Sequence, residues 1–391
     1  MKYVEEFRDG VVARRVAAQI AKEARTDRRY RLMEFCGGHT HALWRYGIVE
    51  MLPPPVEMIH GPGCPVCVLP IGRLEQAIGL ARRPGVTLCT FGDMMRVPAR
   101  DKMSLLKAKA EGADIRMVYG SGDALRLAKS TPSREIVFFA IGFETTTPAT
   151  AVVVKQAAEL GLQNFSVFCN HVLTPSAIDA ILGSPDVTEG KIEVDGFVGP
   201  GHVSTIIGTA PYERFAREHR KPVVVSGFEP LDLMQSILML VRQLNEGRHE
   251  VENEYSRAVV RTGNAKAIAL VEEVLELRAS FEWRGLGTLS GSALGLREKY
   301  AAWDAEKKWN LPYTPVADHK ACACGEILRG LKKPTDCKIF GGACTPESPV
   351  GSCMVSPEGS CAAYYAYGRL TKRGRERERE RDQDRDQEAQ S

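Results

Sequence analysis

Nine of the chain's eleven cysteines fall into two tight groups, and that placement carries the first chemical information. Cys36, Cys64 and Cys67 lie near the start; Cys322, Cys324, Cys337, Cys344, Cys353 and Cys361 crowd one stretch near the end. Packing alone does not ask for thiols in clusters. In a chain with cytosolic character, grouped thiolates bind soft metals or exchange electrons rather than staple the fold.

The first group sits in CGGHTH, from Cys36 to His41, and in HGPGCPVC, from His60 to Cys67. A C-x-x-C pair is a redox dithiol when its first thiol is activated at a helix start. Three thiolates, or two with a histidine, hold zinc. Soft thiolates also hold low-spin iron carrying strong-field ligands. The plainer alternative is that these cysteines are small buried hydrophobes, a reading that suits Cys89 and Cys169 inside apolar strand runs better than Cys64 and Cys67 between turn residues. His39, three positions after Cys36, is a candidate ligand, proton donor or helix-start group, and His41 a weaker one.

The second group lies in an irregular segment punctuated by glycine and proline, so something other than a core must organise it. Four thiolates holding a [4Fe–4S] cluster would do so. Zinc is the alternative, although the paired C-x-x-C spacings of a zinc ribbon are absent. Spacing alone does not select which four of the six cysteines bind.

These residues need elements to place them. Apolar runs at Leu32–Phe35, Val56–Ile59, Thr87–Phe91 and Ile115–Tyr119 alternate with helix-like stretches near 39–46, 72–83, 101–110 and after Gly122. A second series follows at Ile136–Ile141, Phe165–Cys169, Gly196–Val198 and Val223–Val225, with helices near 147–160, 174–183, 203–218 and after Pro230. Such alternation predicts an α/β fold with parallel sheets of βα units, arranged as two similar domains side by side around a central cleft. In parallel sheets ligands bind beyond the carboxyl ends of the strands, and Cys36, Cys64 and Asp93 all follow strands. Glu144, His171, His202 and Glu229 occupy the corresponding positions in the second series, either as an opposite cleft wall or as caps and loop latches.

The expected organisation is an N-terminal helix within 1–30, a first α/β domain at 31–130, a second at 131–249, a smaller cysteine-rich domain at 250–370 and a charged, disordered tail at 371–391. A formal net charge of +3 gives no nucleic-acid footprint. No run of eighteen apolar residues suggests a membrane span, and the N-terminus lacks a signal-like apolar core, so a cytoplasmic protein is expected. G-x-x-x-x-G-K-[ST] and strand-linked G-x-G-x-x-G loops are absent, which argues against dedicated nucleotide binding.

CGGHTH, GPGCPVC, GFETTTP, NHVLTP, GPGHVS, SGFEP and the cysteine-rich end occur in an order that resembles the HypD family of hydrogenase maturation factors, over roughly residues 10 to 368. The resemblance implies two similar α/β domains and a smaller iron–sulfur domain. It implies a scaffold, formed with the small chaperone HypC, on which the Fe(CN)2CO unit of [NiFe]-hydrogenase is assembled. Cyanide would arrive from carbamoyl phosphate through HypF and HypE, and the unit would pass to the hydrogenase large subunit. Cys36 then becomes an iron ligand shared with the partner, and Cys64 and Cys67 the redox dithiol of the cleft. The family pattern C-x14-C-x6-C-x16-C falls on Cys322, Cys337, Cys344 and Cys361, leaving Cys324 and Cys353 as a redox pair. A stand-alone thiol-dependent oxidoreductase and a zinc-stabilised α/β binding protein are the competing readings.

Overall fold

A computed structural model describes residues 5–368, so the tail expected at 371–391 lies outside the described residues. The strands are β1 (Tyr30–Glu34), β2 (Val56–His60), β3 (Val86–Thr90), β4 (Ile115–Met117), β5 (Glu135–Gly142), β6 (Phe165–Val172), β7 (Gly196–Pro200), β8 (Val223–Ser226) and β9 (Val251–Asn253). Four short ones follow: β10 (Leu275–Leu277), β11 (Ser280–Trp283), β12 (Gly287–Ser290) and β13 (Ala293–Leu296). Nearly every residue of β1, β3 and β5 to β8 is buried, as expected of strands covered on both faces by helices.

Eight strands match the eight apolar runs, and they pair in parallel, but the grouping differs from the expected one. The first sheet has the order β2-β1-β7-β8-β9 and the second β10-β13-β6-β5-β3-β4, so each draws strands from both halves of the sequence. The two strand series therefore do not form one sheet each. Apolar runs specify that a strand is buried on both faces, not which neighbour it takes. After β2 the chain leaves to build β3 to β6 and then returns to place β7 on the free edge of β1. In the second sheet β13 runs antiparallel to β6, and β10 antiparallel to β13. Residues 264–278 have helical periodicity in the sequence, but the helix is only Ala265–Val274, and the next three residues form β10. The helix expected at 203–218 is two, Gly201–Ile207 and Glu213–His219, interrupted where Gly208 turns at positive φ.

The order of each sheet sets where a crevice opens. In the first sheet β1 is followed by β2 on one side and β7 on the other; in the second, β3 is followed by β4 on one side and β5 on the other. Loops leaving adjacent strands in opposite directions part at these two switch points and leave room for a ligand.

The helix Gly10–Glu23 starts at Asp9, whose carboxylate accepts from the amides of Val11 and Val12 at 2.7 and 3.2 Å. Ile20 is buried, and Glu23 takes two 2.8 Å hydrogen bonds from Arg242 of the long helix Pro230–Glu246. One continuous buried cluster joins the facing sides of the two sheets, with Met33, Phe139, Phe168 and Phe197, to Trp283 and to Cys324, Ile327, Cys353 and Cys361 of the cysteine-rich segment. No helix among the described residues is long and apolar enough to cross a membrane.

Candidate functional site: a thiol cleft at two switch points

The two switch points face one cavity of about 340 Å³. From the first sheet it is lined by Phe35 and Cys36 after β1, Gly63, Pro65 and Val66 after β2, and His202 after β7. The second sheet contributes Gly92 and Asp93 after β3 and Gly142 to Thr146 after β5, without Glu144. Ser356 and Glu358 close it from the cysteine-rich segment.

Cys36 is the residue before the helix Gly37–Arg45 and is 7% exposed. Burial pushes its thiol up to about 12; the Glu358 and Glu34 carboxylates add to that, while the Gly38 and His39 amides at the helix start oppose it. Glycine makes the close approach possible. A Cβ on Gly63 would overlap the Cys36 backbone, and one on Gly37 would overlap Glu358, so the loops after β1 and β2 and the cysteine-rich segment meet backbone to backbone. The Gly37 amide donates to the Gly63 carbonyl at 2.9 Å and locks the first two loops together.

Cys64 and Cys67 form a disulfide directly behind this junction, 3% and 0% exposed, at the start of the short helix Pro65–Val68. The Ser352 hydroxyl donates to the Cys67 carbonyl at 2.9 Å, and the next residue along the chain is Cys353. The Arg284 amide donates to the Val68 carbonyl at 2.8 Å. Arg96, just after Asp93, reaches the carbonyls of Pro346 and Val355 at 3.1 and 3.2 Å. The cysteine-rich segment is thus tied to the cleft at several points.

Within that segment the Cys324 thiol sits in the middle, in hydrogen-bond contact with Cys322, Cys353 and Cys361. Cys344 lies near Cys361, and the Cys337 sulfur contacts the carbonyl of Ala321, next to Cys322. Gly351 leaves the space they use: a Cβ there would lie 2.5 Å from the Cys324 sulfur and 2.6 Å from that of Cys322. Buried Arg284 lies beside Cys324 and Cys353, paired to Asp318. Among the described residues no three His, Cys, Asp or Glu side chains stand in a preformed metal-binding arrangement. The donor chemistry is nonetheless of the kind a thiolate-bound cluster uses: soft thiols are grouped here, Cys322, Cys353 and Cys361 around Cys324, with a Cβ left out at Gly351 beside Cys322 and Cys324.

The other sequence candidates are placed as follows. Asp93 and His202 line the cavity. His39 is fully buried, its Nε2 3.1 Å from the Ser226 carbonyl, and burial lowers it to about 4. Glu144 accepts from the amide and hydroxyl of Thr174 at 2.9 and 3.0 Å, and burial raises it to about 7. His171, likewise lowered to about 4 by burial, contacts the Thr150 hydroxyl at 2.8 Å. Both latch β5 and β6 to the helices that follow. Glu229 pairs with Arg8 in a neighbouring cleft that shares His202 with the cavity. Sequence reasoning passed over Glu34, Glu358, Arg284 and Gly351. Only the charge of Glu34 inside an apolar run could have signalled the first of these.

An α/β protein with a cysteine and a disulfide at paired switch points, backed by a thiol-rich segment, carries the residues that thiol redox or metal-handling chemistry would use. Comparison with known proteins gives the family. The model of the family described as hydrogenase formation hypA family, HypD, matches residues 11–368. The hydrogenase maturation factor HypD of Rhizobium leguminosarum bv. viciae is 64% identical over 377 residues, covering 96% of this chain and 98% of that protein. HypD of Cupriavidus necator is 63% identical over 371 residues (95% and 98%), and HypD of Escherichia coli 44% over 372 residues (94% and 98%). The chain belongs to the HypD family of hydrogenase maturation factors.

Proposed function

We propose that this maturation factor is a scaffold on which an Fe(CN)2CO unit is built at Cys36, in a complex with a HypC-type chaperone that supplies a second thiolate. HypE is the cyanide donor in this reading, and the hydrogenase large subunit the eventual recipient. The observation that carries it is the position of Cys36, at the shared mouth of two switch points with a disulfide immediately behind. A buried thiol keeps its proton until a cation displaces it, so iron entry releases a proton into the cavity. Asp93, His202 and Glu358 are the polar groups there to receive it.

The Cys64–Cys67 pair is the two-electron redox group nearest the proposed iron site, and as a disulfide it must first accept electrons. Its reduction by the Cys324 and Cys353 thiols converts that pair to a disulfide and returns two thiols to the cleft, a balanced two-electron exchange. Ser352, bonded to the Cys67 carbonyl, holds the two segments in register for it. A [4Fe–4S] cluster on Cys322, Cys337, Cys344 and Cys361, within a cysteine-rich iron–sulfur domain, would supply single electrons, two of which, taken up with two protons, return the Cys324–Cys353 disulfide to thiols. The competing reading, a partner-free oxidoreductase, gives no reason for Cys36 to stand apart from the dithiol.

The test is a Mössbauer spectrum of protein grown on iron-57 and purified anaerobically with its small partner. A cubane signal plus a separate low-spin iron is expected, with Cys36→Ala losing only the second. Zinc in place of both iron signals would overturn the assignment.

A further inference from the structure

The cavity explains Cys36 but not the carboxylate beneath it. Glu34, the last residue of β1, is 0% exposed and two positions before Cys36. One of its oxygens accepts the Cys36 amide at 3.0 Å. The other meets Nδ1 of His60, at the end of β2, at 2.9 Å and accepts the hydroxyl of Thr40 from the helix Gly37–Arg45. His60, itself 5% exposed, packs edge-on against Tyr364, with centroids 5.4 Å apart. Tyr364 belongs to the helical turns that begin around Cys361.

A buried carboxylate is a costly way to hold a loop, since apolar packing of the same volume is commonly as stable or more so. Its placement gives it another use. Glu34 is bonded to the main chain of the proposed iron ligand, and it sets one fixed negative charge behind that ligand in a low-dielectric interior. We propose that Glu34 is a positioning residue of the iron site, oriented by His60 and Thr40, which fixes the Cys36 loop and raises the electron density of the iron–thiolate unit. This rests on the reading of Cys36 as iron ligand. Groups that orient a metal ligand typically change affinity or activity 10- to 100-fold when removed. A nearby anion also strengthens back-donation from iron into carbonyl and cyanide ligands, which lowers their stretching frequencies.

The experiment is infrared spectroscopy and iron analysis of the purified complex with its small partner, for Glu34→Gln, Glu34→Ala and Cys36→Ser, with a melting curve for each. Glu34→Gln retains an acceptor oxygen but no charge. It is expected to keep its iron and its melting temperature while the carbonyl and cyanide bands move to higher wavenumber, a shift that a purely structural role would not produce. Glu34→Ala is expected to lose about 10- to 100-fold in iron occupancy. Wild-type frequencies in Glu34→Gln overturn the proposal, even if Glu34→Ala fails to fold. Bands that persist in Cys36→Ser overturn instead the assignment of the ligand, and the proposal falls with it.

Discussion

The two cysteine groups are held by different means. Cys36, Cys64 and Cys67 are set by regular structure: each follows a buried parallel strand, and glycine contacts and the Gly37–Gly63 hydrogen bond lock their loops. The six cysteines from Cys322 to Cys361 have only short helices and turns around them; Cys322, Cys353 and Cys361 gather around the Cys324 sulfur, and Gly351 stands against Cys322 and Cys324. In the first group the fold dictates where the sulfur goes; in the second the sulfurs, and whatever they bind, help dictate the fold. Removing a cofactor should therefore do different things at the two sites.

The sharpest break comes from a residue between them. Cys353 abuts Cys324 and follows Ser352, which bonds to Cys67. Cys353→Ser is expected to leave iron content of the cysteine-rich segment intact and abolish hydrogenase maturation, read as hydrogenase activity in a complemented deletion strain. Full activity would remove the second thiol pair from the function and leave the cleft dithiol to work alone.

Chelating the iron of the proposed cluster from the purified protein sharpens the contrast. Lys320, Lys332 and Lys338, none of them followed by proline, lie in the cysteine-rich segment, outside the sheets. Limited trypsin digestion should cut there on the order of tenfold faster after chelation, while the body from β1 to β9 remains protected, because opening is local where few buried contacts hold the chain. Equal acceleration throughout would mean that the metal supports the whole fold.

The complementary perturbation acts on the rigid group. In Gly63→Ala the new Cβ overlaps the Cys36 backbone, which neither loop can relieve without losing the 2.9 Å Gly37–Gly63 bond. A loss of about 3 kcal/mol in chemical denaturation is expected, together with loss of the proposed low-spin iron but not of the proposed cluster. Unchanged stability would show that the loops are less closely locked than the contacts imply.

The same contrast explains what could be read from the sequence. Strand ends were legible because a run such as Ile136–Ile141 is buried on both faces and stops where the chain turns; β5 extends it by one residue at each end. Cys36 and the Cys64–Cys67 pair were legible as chemistry because they sit at such stops. The pairing of strands was not, since β1 takes β7 across a long detour that no local pattern records. Nor were the short antiparallel strands β10 to β13, hidden in a helical period and a glycine-rich stretch. Glu34 closes β1 and Glu144 stands two residues past β5, and both carboxylates are buried. Only the contacts separate them: Glu34 bonds to Cys36, whereas Glu144 bonds to Thr174 and lies away from the cavity wall.

That last pair yields the smallest and most quantitative prediction. Burial raises Glu144 from its ordinary 4.5 to about 7. The folded protein thus binds this proton more tightly than the unfolded chain does. The stabilising contribution is whole below about 4.5 and is lost as pH rises through about 7, by about 3 kcal/mol. His39 and His171, lowered to about 4 by burial, run the other way: their contribution is whole above the ordinary histidine value of 6.5 and is lost as pH falls toward 4. The raw stability profile mixes these trends, so the informative quantity is a difference. Gln at position 144 can still accept from the Thr174 amide and donate to its hydroxyl, without titrating. Urea unfolding of wild type and Glu144→Gln from pH 5 to 8 should therefore give a stability difference that falls steadily in wild type's disfavour as pH rises. At pH 8 the iron content of Glu144→Gln should equal that of wild type, because this carboxylate serves the β5–β6 latch and not the cleft. A flat difference would mean that folding leaves the Glu144 carboxyl in its ordinary titration range. A fall in iron content would bring the latch into the site and erase the distinction drawn between the two carboxylates.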